Sequence, residues 1–92
     1  MAYIFHFNPN TPMSTTKYDE IMKRLDAAGV SAPAGRLYHA CYGSADRLRV
    51  TDVWDSPASF EQFGATLLPI LQDMGVDPGQ PEVVEVHNIV TG

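Results

Sequence analysis

"RVTDVWDSPASFEQF", residues 49–63, changes its period halfway, and that change decides the fold. Arg49 to Trp54 alternate as a one-sided strand does, whereas Phe60 and Phe63 recur at helical spacing. Ser56 followed by Pro57 marks the join. A serine side chain caps orphan amides, and proline at the first helical position gives up no hydrogen bond. Two residues in the strand ask for a reason: Asp52 inside it and Trp54 closing it. A carboxylate facing a helix layer is costly unless a partner answers it.

The flanking segments supply the rest of the domain. Residues 36–42 (RLYHACY) and 47–54 read as two strands joined through "GSAD" in a hairpin. Residues 2–8 (AYIFHFN) read as a first strand, ended by "NPNTP". Ser14 is placed to cap a helix carrying Tyr18, Ile21, Met22, Leu25 and Ala28 on one face, with Gly29 as its stop. Lys17 does not complete a capping box there. The second helix runs from Pro57 with Phe60, Phe63, Leu67, Leu71 and Met74 inward, and Gly75 ends it. Pro69 falls within it and predicts a kink or break near Thr66–Leu68. Residues 82–90 (EVVEVHNIV) predict a last strand. The order β-α-β-β-α-β predicts an α+β, ferredoxin-like fold: two helices on one face of a four-stranded antiparallel sheet. Residues 1–92 are read as one domain.

The opposite sheet face carries Tyr38 and Tyr42, with either Tyr3, Phe5 and Phe7 or Ile4 and His6 beside them. So large an apolar patch predicts a covering second subunit, hence a homodimer. The chain has 92 residues, a net charge of −5 and six scattered basic side chains, which argues against nucleic acid and anionic membranes as partners. No apolar run approaches the roughly 20 residues that span a bilayer. The start, MAYIFHFNPN, lacks the basic residues and cleavage site of a signal peptide. Cys41 is the only cysteine, which fits a reducing cytoplasm, and nothing suggests a lowered thiol pKa. His6, His39 and His87 fall on three strands without metal-ligand spacing, so no metal is expected.

An even-length hairpin turn sets Tyr42 opposite Arg47, Cys41 opposite Leu48, His39 opposite Val50 and Leu37 opposite Asp52. One face then carries Leu37, His39, Cys41, Leu48, Val50, Asp52 and Trp54. It is the more apolar face and is expected beneath the helices. His39 and Asp52 become diagonal neighbours, with about 7–8 Å between their backbones, within side-chain reach.

The stretch "VTDVWDSPASFEQF", with "YHACYGSADRLRVTDVW" and the terminal "VHN", resembles the antibiotic-biosynthesis-monooxygenase-like (ABM-like) members of the dimeric α/β-barrel superfamily. The resemblance spans about residues 3–90 and implies that fold and a dimer. The superfamily holds cofactor-free oxygenases, haem-degrading enzymes, isomerising and decarboxylating enzymes, and many small proteins of unassigned function. Several monooxygenase-like members carry a histidine on the second helix, nine residues after the strand tryptophan, where this chain has Phe63. The haem-degrading branch has a tryptophan there and a histidine about ten residues on, where this chain has Phe63 and Asp73. Haem chemistry is therefore not implied, and no cofactor is expected.

Two kinds of function follow. In the first, a small dimeric protein binds an apolar or aromatic molecule between sheet and helices, with Trp54, Phe60, Phe63, His87 and Asn88 as its walls. In the second, a cofactor-free monooxygenase or isomerase acts on a small aromatic or enolisable substrate, with His39 as base oriented by Asp52. A polar-lined cavity beside His39 favours chemistry. A filled core makes His39–Asp52 a structural hydrogen bond. His87 and Asn88 line either the same cavity or the dimer seam, and at least one of them is expected to be a structural or interface residue. His6 reads as structural.

Overall fold

The computed structural model describes residues 1–92 and has the expected order: β1 (Tyr3–Phe7), α1 (Thr15–Ala27), β2 (Arg36–Tyr42), β3 (Arg49–Trp54), α2 (Pro57–Asp73) and β4 (Glu82–Glu85). The four strands form one antiparallel sheet in the order β2-β3-β1-β4, the ferredoxin-like arrangement. Both helices begin at the expected caps. Ser14 Oγ accepts from the Lys17 amide at 3.1 Å, and Ser56 Oγ accepts from the Ser59 amide at 3.2 Å, with proline opening α2.

Tyr3, Phe5 and Phe7 face the helices, where Phe5 is buried and the other two pack against the core. Ile4 and His6 therefore lie on the open face, with Tyr38 (61% exposed), Tyr42 and Thr51. At the centre of that face Tyr42 Oη, Thr51 Oγ1 and His6 Nδ1 lie within 2.9–3.1 Å of one another. Tyr42 is exposed there, and His6 and Thr51 are half-buried.

Four expectations need correction. The hairpin register is shifted by two residues: Tyr42 pairs with Arg49, Cys41 with Val50 and His39 with Asp52. The cause lies outside the hairpin. The segment before α1 captures Arg47 and Leu48, with Met13 N–H donating to the Asp46 carbonyl (2.7 Å) and Leu48 N–H to that of Met13 (3.1 Å). β3 thus starts at Arg49 rather than Arg47. Leu37 is not under the helices either, because a bulge between Arg36 and Tyr38 turns it out, 58% exposed, and puts Arg36 opposite Trp54. Of the kink or break expected at Pro69, the break does not occur, and α2 runs as one helix to Asp73. Leu71, beyond the proline, is buried in the core and holds the last turn in place. Finally, β4 ends at Glu85 and not at residue 90. Glu85 pairs with Tyr3, the first residue of β1, and only one further bond, Val86 N–H to the Ala2 carbonyl, extends the ladder. Alternation continues past that point, but no strand remains to pair with it.

Candidate functional site

β2 and β3 set His39 directly opposite Asp52 on the helix side of the sheet. A slip of two residues preserves which side chains share a face, so the expected faces survive the corrected register. His39 Nδ1 lies 2.5 Å from Asp52 Oδ1, and Trp54 Nε1–H donates to Asp52 Oδ2 at 3.3 Å. These bonds answer the puzzle of the acidic strand. Asp52 is 4% exposed and tolerable there because each oxygen receives an N–H. No buried side-chain nitrogen or oxygen in the chain lacks a partner.

A third residue completes the set. Tyr18, on α1, places its hydroxyl 2.6 Å from His39 Nε2, and the two rings lie nearly parallel, 6° apart with centroids at 6.0 Å. Sequence reasoning took Tyr18 for a core residue on the helix's inner face. The missed signal was chemical: a tyrosine turned inward needs a partner for its hydroxyl. Burial pushes the Tyr18 phenol above its ordinary pKa of 10.0; nearby Cys41 and Asp52 act in the same direction, while Arg36 opposes them. The hydroxyl therefore rests protonated at neutral pH.

Tyr18, His39 and Asp52 line a cavity of about 70 Å³, partly open to solvent, between the sheet and both helices. Arg36 is the remaining charged side chain on its wall, and everything else there is apolar or proline. The Arg36 guanidinium carbon stands 5.7 Å from the centre of the Phe63 ring, and Nη2 donates to the Ser31 carbonyl at 3.0 Å.

Of the residues picked from the sequence, His39, Asp52, Phe60 and Phe63 come together on this wall. Trp54 does not line it. It is fully buried behind the cavity, in contact with Phe60 and Phe63 and hydrogen-bonded to Asp52. His87 and Asn88 lie apart, exposed on the segment after β4. The structure contains no group of three histidine, cysteine or acidic side chains able to hold a metal ion.

No protein-family model and no curated protein matches the sequence. Solved structures do match the fold. SnoaB, a cofactor-independent oxygenase from Streptomyces nogalater, is 14% identical, with 99% of this chain and 96% of that one covered at a TM-score of 0.60. A protein from Chloroflexus aurantiacus named for antibiotic biosynthesis monooxygenase is 18% identical, with coverage of 99% and 97% and a TM-score of 0.57. This chain has their fold. A protein of unknown function from Nitrosomonas europaea shares it too, at 13% identity, coverage of 99% and 92%, and a TM-score of 0.60. The monooxygenase-like fold thus extends over nearly the entire chain, while at such identities the likeness speaks for architecture alone.

Proposed function

We propose that this chain binds a small apolar or aromatic molecule between sheet and helices and removes a proton from it, with the His39–Asp52 pair as the base. The cavity is apolar rather than polar-lined as chemistry was expected to need; the carrying observation is the imidazole held by a buried carboxylate on its wall. Such a wall shields a carbanion or phenolate from water, and the carboxylate stabilises the imidazolium formed when the proton arrives. The anion then has two fates. Dioxygen oxidises it without a cofactor, as the name of SnoaB describes for that protein, or a proton returns at another position and the molecule isomerises.

Phenylacetone in deuterated buffer tests the reading, because its acidic C–H exchanges slowly unaided and NMR follows the loss. The protein should accelerate exchange, and Asp52→Asn should remove most of the acceleration. Absence of any acceleration would leave a cavity that only binds.

The working unit we propose is a two-fold homodimer joined through the open sheet face, in a reducing cytoplasm consistent with a single free cysteine. Exposed Tyr38 and Val84 support that interface, and the apolar tail carrying His87 and Asn88 fits its seam.

A further inference from the structure

We propose that Tyr18, rather than His39, is the group that meets the ligand, and that the cavity selects small aromatic molecules bearing an acidic hydrogen. The inference rests on the proton-abstraction reading above and assigns its contact atom.

The direction of the hydrogen bonds follows from the donors available. Indole Nε1–H can only donate, so Asp52 Oδ2 accepts from Trp54. A carboxylate has no proton to give, so the 2.5 Å contact at Oδ1 requires the proton on His39 Nδ1. With the imidazole in its neutral form, the only state in which the pair can act as a base, Nε2 has only a lone pair, and the 2.6 Å contact there is a bond donated by the Tyr18 hydroxyl. Tyr18 has now spent its one proton on His39. What it offers the cavity is an oxygen with free lone pairs.

Such an oxygen receives a hydrogen and cannot give one. A phenol, enol or acidic C–H can approach it, whereas an ether or carbonyl oxygen meets lone pair with lone pair. The transfer that follows balances within the chain. The ligand's proton bonds to Tyr18 Oη as the Tyr18 proton passes to His39 Nε2. Tyrosine ends neutral, as its burial favours, imidazolium faces Asp52, and the ligand keeps the electron pair as an anion. Arg36, on the same wall and close enough to influence the Tyr18 hydroxyl, is the cation available to that anion. The cavity, about 70 Å³, favours a single ring.

4-Nitrophenol is a suitable probe, since its ionised form is coloured, and 4-nitroanisole has the same shape without the acidic hydrogen. Equilibrium dialysis should show wild-type protein preferring the phenol by about tenfold or more, the preference expected of a site whose polar group the analogue leaves unpaired. Bound nitrophenol should show the phenolate colour about one pH unit below its free ionisation. Tyr18→Phe, checked for its fold by circular dichroism and urea midpoint, should bind both compounds alike and lose the colour shift. The wild-type preference needs no variant, so a misfolded Tyr18→Phe does not spare the inference: equal binding of the two compounds by wild type overturns it. A Tyr18→Phe protein that keeps preference and colour, while His39→Gln loses them, also overturns it but leaves His39 as base. Wild-type protein that neither binds nor ionises nitrophenol overturns the inference, and the proton-abstraction reading falls with it only if phenylacetone exchange is also unaccelerated.

Discussion

Asp52, the buried carboxylate of the chain, accepts two N–H donors and gives none. Asp52→Asn keeps the shape but supplies an NH₂ where only an acceptor fits. One of the donors, Trp54 Nε1–H or His39 Nδ1–H, then loses its partner. The substitution should cost about 1–3 kcal/mol in urea denaturation, and an unchanged midpoint would show that water replaces the lost bond. A second consequence concerns alkaline pH. Burial raises the pKa of both the Cys41 thiol, ordinarily 9.0, and the Tyr18 phenol, ordinarily 10.0. The unfolded chain therefore releases these protons first, and above about pH 9 it binds fewer than the folded chain does. Their contribution is complete below that point and is lost as pH climbs through the folded values. Stability measured from pH 8 to 11 should fall, and Tyr18→Phe should flatten the part of the fall above pH 10. Equal slopes for the two proteins would refute this. His39 and Asp52 could be paired from sequence because strand alternation dictates which side chains share a face. Tyr18 and Arg36 could not be placed. The first depends on how α1 packs over the sheet, and the second on a bulge that turns it to the helix side.

The elements whose limits are set locally begin and end where the sequence expects, and those limited by their neighbours do not. α2 begins at Ser56–Pro57 because cap and first turn lie within a few residues. Ser56→Ala should cost about 0.5–2 kcal/mol, measured by chemical denaturation. β3 and β4 are shorter than their alternation suggests, because Met13 claims one end of the first and β1 runs out beside the second. Pairing is a property of two segments, and one segment's pattern carries only half of it. Pro69 gives the opposite lesson. It is exposed, lacks the amide of a helical residue and interrupts no burial, while Leu71 secures the turn beyond it. Pro69→Ala should therefore raise stability, by up to about 3 kcal/mol. A drop would mean that the proline shapes the cavity wall formed by Leu67 and Leu68.

The assembled chain leaves one face of its sheet in water. The proposed dimer should bury about 1,200–2,000 Å² in total, and light scattering should give twice the chain mass at micromolar concentration. Tyr38→Glu, at an exposed site on that face, should return the monomer mass, and a wild-type monomer would remove the proposal. The opposite side of the sheet holds a subtler property. Of the nine hydrophobic residues that form the buried core, Met13, Ile21, Leu25, Phe63, Leu71 and Val76 also line the cavity. Most of the domain's interior borders the proposed binding site. A ligand in that space acts as a removable piece of the core, and occupancy becomes inseparable from folding: a hundredfold excess over Kd adds about 2.7 kcal/mol to stability. The same economy restricts change, since a substitution that reshapes the cavity for another molecule also alters the packing on which the chain depends to stay folded.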